Sequence, residues 1–177
     1  LSSSSAASDV YKRQMHILIK NKKLIFNNYR IKCAVGKRGI GRKKKEGDFI
    51  TPIGLFKIKF VLYRKDRIKK LNTVLRKIRI TSKMGWCDDS TCKEYNKLVT
   101  TPFKYSYEKL SRKENVYDIV LVLNYNMSPT VKNKGSAIFI HVAKKNYRST
   151  AGCVAIKKGE LLNILKDIKK NTKVKII

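Results

Sequence analysis

The chain has 177 residues, 42% of them hydrophobic, and 42 Lys+Arg against 12 Asp+Glu give it a formal charge of +30. That length and apolar content suit one domain with a real core, and no apolar run approaches the roughly 20 residues a membrane span needs. The charge attracts polyanions in general, but basic residues are spread along the chain, with only short runs such as Arg42-Lys-Lys-Lys45. No nucleic-acid-binding motif accompanies them, so specific nucleic-acid binding is not expected, and a Lys/Ile/Asn composition from AT-rich coding is the simpler source of the charge.

Residues 1–14 are Ser/Ala-rich and unlike the rest. They resemble translated sequencing-adapter read-through, so Met15 is expected to be the true start, with one domain over 15–177. Neither version of the N-terminus shows the pattern of a secretory signal. His16–Lys20 and Leu24–Tyr29 then read as a strand pair, and Ile31–Val35 as a third strand ending at Gly36. A Gly/Lys-rich loop leads to a turn punctuated by Pro52 and Gly54, and Leu55–Tyr63 alternates as a strand. Residues 64–80 are expected to be a short helix or irregular, closing on a strand over Lys77–Thr81.

The stretch from Met84 to Asn96 carries the only Trp, two adjacent acids, and Cys87 and Cys92. It reads as a loop, either packed on the surface or forming a pocket wall. The two cysteines can pair as a disulfide in an oxidising compartment or remain reduced thiols. With no CxxC pair and only two histidines, no metal site is expected, and nothing in the sequence calls for a cofactor. Glu108–Glu114 reads as a turn or single helical turn. Tyr117–Tyr125 is almost continuously apolar, the mark of a strand buried on both faces. Leu161, Ile164, Leu165 and Ile168 fall at helical spacing, predicting a helix over Gly159–Lys170, and Lys173–Ile177 closes the chain as a strand. The sum is a mainly β domain with one clear helix.

Chemistry concentrates in Ser136–Ile156. Ala137–Val142 is a strand ending at His141, and Cys153 follows twelve residues later after a polar loop and a Thr-Ala-Gly-Cys turn. A loop of that length can leave one strand end and return beside it, placing a thiol next to an imidazole. A cysteine nucleophile needs that neighbour to take its proton.

Three blocks in order resemble the L,D-transpeptidase catalytic domain (YkuD-like family). They are Lys45-Glu-Gly-Asp-Phe-Ile-Thr-Pro-Ile-Gly-Leu-Phe56, Gly85-Trp-Cys-Asp-Asp89 with Tyr95-Asn96, and Gly135-Ser-Ala-Ile-Phe-Ile-His141 followed by Ser149-Thr-Ala-Gly-Cys-Val-Ala155. The resemblance implies a β-sandwich-like domain with one or two short helices, acting on peptidoglycan stem peptides of the bacterial cell wall. It implies Cys153 as nucleophile, His141 as base, a backbone carbonyl orienting the imidazole, and backbone N–H groups around Gly152 and Cys153 as the oxyanion hole. The implied reaction attacks the carbonyl of the third stem residue, a diamino acid, expels D-alanine, and passes the acyl group to another stem as a 3→3 cross-link. Family members are also acylated by carbapenem-type β-lactams.

The commonest family motif is Ser-His-Gly-Cys with Arg or Asn two residues on, whereas this chain has Ala151 and Ala155 at those places and resembles a Thr-Ala-Gly-Cys branch. Trp86, Asp88, Asp89 and Tyr95 are therefore expected to line the pocket, and Ser149 and Thr150 to contact substrate or cap the turn. Two other activities fit the same residues: a thiol L,D-carboxypeptidase or amidase, and a degenerate basic protein that binds polyanions. A monomer is expected. The reaction implies the cell envelope or periplasm, and without a visible signal a cytoplasmic location stays open.

Overall fold

A computed structural model describes residues 16–177; the segment 1–14 and Met15 lie outside them. Among the described residues there are fourteen strands and one helix. The strands are β1 His16–Lys20, β2 Lys23–Phe26, β3 Tyr29–Lys32, β4 Ile40–Gly41, β5 Thr51–Pro52, β6 Gly54–Tyr63 and β7 Lys77–Arg79. They continue with β8 Met84–Cys87, β9 Leu98–Thr100, β10 Tyr107–Lys109, β11 Ile119–Leu123, β12 Phe139–Val142, β13 Val154–Ile156 and β14 Lys173–Ile176. The helix α1 spans Lys158–Asp167, and short 3-10 turns occur at Asn115–Tyr117 and Lys145–Tyr147.

The main sheet runs in the order β13-β12-β11-β6-β14-β1-β2-β3, with β7 beside β6. Its two ends meet. Just past β3, Ala34 and Ala155 exchange backbone hydrogen bonds of 2.8 and 2.9 Å, so the mainly β domain takes the form of a nearly closed barrel. No helix among the described residues is long and apolar enough to cross a membrane.

β11 is the hinge of the packing, and all five of its residues are buried. Ile119, Leu121 and Leu123 enter the larger core with Ile17, Ile19 and the α1 side chains, whereas Val120 and Val122 face a second core around Trp86, Leu110, Tyr117 and Phe139. Alternation across one strand thus feeds two cores, which is why the sequence reads as continuously apolar. The α1 residues Leu161, Ile164 and Leu165, with Ile168 just beyond, are fully buried; each such side chain contributes about 2 kcal/mol.

Two regions differ from the sequence reading. Met84–Cys87 is a strand of a separate three-stranded sheet, β10-β8-β9, rather than loop. The segment read as a turn from Glu108 begins in β10, where Glu108 pairs with Trp86. The partners of these strands are supplied by distant segments, so local composition did not reveal them. Cys87 and Cys92 stand as buried thiols against Val99 and Phe103.

Candidate active site

The turn that carries Cys153 is held on both sides. β12 and β13 run parallel, with His141 opposite Ala155, so Cys153, two residues before Ala155, lies on the face of the sheet that carries His141. On the far side, Thr150 N–H donates to Val35 O (2.9 Å) and Lys37 N–H to Thr150 O (2.9 Å). Within the turn, Thr150 Oγ1 donates to Cys153 O (2.6 Å) and accepts from Gly152 N–H (3.1 Å). Gly152 has φ +148°, and a Cβ there would lie 3.0 Å from Ile50 O. Both the dihedral and the close approach demand glycine.

The Lys43–Pro52 loop forms the floor. Asp48, 4% exposed, accepts from Lys43 Nζ (2.6 Å) and from the N–H groups of Lys44 (2.8 Å), Lys45 (3.3 Å) and Ile50 (3.1 Å). Burial alone raises its pKa, but the Lys43 bond and the three amides outweigh it and bring it down to about 2. Thr51 Oγ1 takes Gly36 N–H at 2.8 Å. Gly36 has no room for a Cβ, which would meet Phe49 O at 2.2 Å.

Cys153 and His141 share a pocket of about 250 Å³. The Cys153 thiol donates to Ala137 O (3.0 Å) and accepts from Phe139 N–H (3.4 Å). Among the described residues no hydrogen bond joins it to His141, so its proton must swing away from Ala137 to reach the ring. Burial pushes the Cys153 thiol up to about 12, with the Phe139 N–H and the Lys43 charge opposing. His141 is 7% exposed, and burial lowers its pKa to about 4. Its Nδ1 lies 3.0 Å from Val142 O, a carbonyl that can only accept, which puts a proton on Nδ1; the Val116 backbone is a second hydrogen-bonding neighbour of the ring. The Tyr117 ring packs edge-on against it, with centroids 5.4 Å apart. The resting pair is therefore a neutral thiol and a neutral imidazole, suited to proton transfer during attack rather than to a standing ion pair.

The pocket walls are charged. Glu46, Asp88 and Glu108 line it together with Lys43, Arg112, Lys144 and Arg148. Three of the chain's 12 acids at one cavity is a strong concentration for so basic a sequence. Glu108 is ion-paired with Arg112, and Glu46 accepts from the Tyr95 hydroxyl. Asp88 differs, since its Oδ1 is buried without a hydrogen-bond partner among the described residues.

A family model of the L,D-transpeptidase catalytic domain (YkuD) matches residues 7–176. The chain belongs to this family. No curated protein matches it. Membership implies L,D-transpeptidase-type activity on peptidoglycan and suggests an enzyme of that class.

Within this YkuD domain the residues singled out from sequence fall into two groups. Cys153, His141, Gly152, Asp88, Ser149 and Thr150 all reach the pocket, and the carbonyl beside the imidazole is that of Val142. Trp86 and Tyr95 do not line it; they are 2% and 1% exposed and packed behind it. Asp89 turns to its own loop, accepting from Thr91 N–H (2.9 Å) and Oγ1 (2.7 Å). Large aromatics in a chemistry-rich block are here used for support.

What they support runs through Asn96. Its Oδ1 accepts from Trp86 Nε1 (3.0 Å) and Ala137 N–H (3.0 Å), and its Nδ2 donates to Tyr125 O (3.0 Å) and Asn126 O (2.7 Å). Ala137, held at φ 51°, presents the carbonyl that receives the Cys153 thiol. Asn96, Lys43, Glu46, Glu108 and Tyr117 were not picked out from sequence. The one available signal was Asn96 closing the Trp-Cys-Asp-Asp block.

Ala155 is one departure from the commonest motif. It sits where the barrel closes, bridged to Ala34 and beside His141, and is 1% exposed. Its methyl group lines the same pocket as Cys153 and His141.

Proposed function

We propose that the protein is an L,D-transpeptidase that forms a Cys153 thioester with a peptidoglycan stem peptide and passes it to the amine of a second stem. The observation that carries this reading is the single pocket shared by the Cys153 thiol and the neutral His141 imidazole. His141 Nε2 takes the Cys153 proton as Sγ attacks the carbonyl of the third stem residue. The tetrahedral oxyanion collapses, the C–N bond to the terminal D-alanine breaks, and the imidazolium proton goes to the leaving amine. In the second half the acceptor amine attacks the thioester and gives its proton to His141. The C–S bond then breaks, and the thiol regains that proton. Of the backbone N–H groups around Gly152 and Cys153, that of Gly152 is held by Thr150 Oγ1, which caps the turn, leaving that of Cys153 for the oxyanion, and the exposed Ser149 is a substrate contact at the rim. A cell-envelope location is what this reaction calls for.

Incubation of the protein and its Cys153→Ala variant with purified disaccharide-tetrapeptide, with products read by mass spectrometry, tests the reading. Cross-linked dimer from the parent and none from Cys153→Ala is expected. Tripeptide without dimer would instead assign a thiol carboxypeptidase, and no adduct with either substrate or carbapenem would remove both.

The unpartnered Asp88 Oδ1 supports recognition of the cationic amine of a diamino-acid stem. Asp88→Asn is expected to lower dimer formation at subsaturating acceptor about tenfold or more, the scale of one charge-assisted hydrogen bond, while the thioester still forms. An unchanged dimer yield would show that Asp88 does not read the acceptor.

A further inference from the structure

The side chains of Lys43 and Asp48 are each 2% exposed and pair at 2.6 Å. An ammonium carries three N–H donors, and the Asp48 bond uses one of them. Among the described residues Lys43 Nζ has no other hydrogen-bond partner. Buried polar hydrogens are rarely left unused unless a site requires them.

Position gives these donors a purpose. Lys43 lines the same pocket as Cys153, and its Nζ lies 3.7 Å from the point a Cβ of Gly152 would occupy. Its stem passes over Gly135, where a Cβ would fall 2.2 Å from Lys43 Cε. The absence of a side chain at Gly135 is what lets the lysine reach the turn. Asp48 is itself clamped by three backbone amides, so the ammonium is held in place before any substrate arrives.

The turn, meanwhile, is short of a donor. The Gly152 amide, one of the groups expected to face an oxyanion, already donates to Thr150 Oγ1 at 3.1 Å. We propose that Lys43 Nζ donates a hydrogen bond to the oxyanion formed when Cys153 attacks a carbonyl. This rests on the reading of Cys153 as an acylated nucleophile and adds a cationic donor to its backbone ones. A preorganised donor aimed at developing charge in a buried site needs no reorganisation as the reaction proceeds.

A structural role, or simple support of the thiolate, is separated from this by two reagents. Acylation by a carbapenem passes through an oxyanion, whereas alkylation by iodoacetamide displaces iodide and forms none. Both are followed at Cys153 by intact-protein mass spectrometry in the parent chain, Lys43→Met, and Lys43→Met/Asp48→Asn, which leaves no stranded carboxylate. In both variants acylation is expected to fall about 10²–10³-fold and alkylation by less than about tenfold. Equal losses in the two rates would make Lys43 a support of the thiolate or of the fold, and acylation within about threefold of the parent would deny it any role; either overturns the proposal. If circular dichroism shows Lys43→Met unfolded, the double variant decides on the same criterion. A parent chain that is alkylated but never acylated would remove the functional reading, and this assignment with it.

Discussion

His141→Asn is expected to slow thioester formation by about 10²–10⁴-fold, the contribution of a positioned general base. Asn keeps a polar side chain of similar reach but cannot accept and return a proton. Acylation by carbapenem, read as the rate of mass increase, checks it. A variant within about tenfold of the parent would mean that another group takes the thiol proton.

The same substitution carries a stability signature whose sign follows from burial. His141 titrates near 4 in the folded chain because burial disfavours its charged form, whereas an unfolded histidine titrates near 6.5. Between those values the unfolded state binds more protons, so stability rises with pH across the window and is lost as pH falls from about 6.5 to about 4. The full loss is about 3 kcal/mol. Urea midpoints taken across that range should fall with acid in the parent and fall less steeply in His141→Asn, since the carboxylates shared by both chains cancel in the comparison.

Asn96→Ala should destabilise the protein by about 3–4 kcal/mol. It removes four hydrogen bonds and strands two donors, the buried Trp86 Nε1 and the part-buried Ala137 N–H, at about 1–3 kcal/mol for a fully buried one. For a chain of this size that corresponds to a fall in Tm of roughly 10 °C. Acyl transfer should fall as well, because Ala137 loses the bond that fixes its carbonyl against Cys153. Thermal melting and carbapenem acylation measure the two effects. A Tm within about 2 °C of the parent would show that water replaces the Asn96 carboxamide without loss.

Both predictions depend on parts of the site that were unequally visible in the sequence. α1 was legible from its helical spacing, β1 and β11 from short apolar runs of strand length, and His141 and Cys153 because a strand end and a Gly-Cys turn flank a loop of closing length. β8 and β10 were not, since Gly85, Trp86 and Glu108 acquire strand geometry only by pairing with one another across more than one turn of chain. Trp86 and Tyr95 carry the residue types of a binding surface, yet their polar tips find Asn96 and Glu46 inside the protein and their rings fill the core behind the pocket. Lys43 was hidden for the opposite reason. It is one lysine among several in Arg42–Lys45, and only the position of the Asp48 carboxylate selects the one that turns inward.

The closure of the barrel at Ala34 and Ala155 has a kinetic meaning. The nucleophile turn is clamped against a segment near the start of the described chain, so its geometry is complete only after one of the long-range pairings of the fold has formed. Loop-closure entropy makes such pairings late. A partly folded chain therefore keeps Cys153 in a turn without its floor or its amide clamps, and acyl chemistry on peptidoglycan is withheld until the barrel has shut.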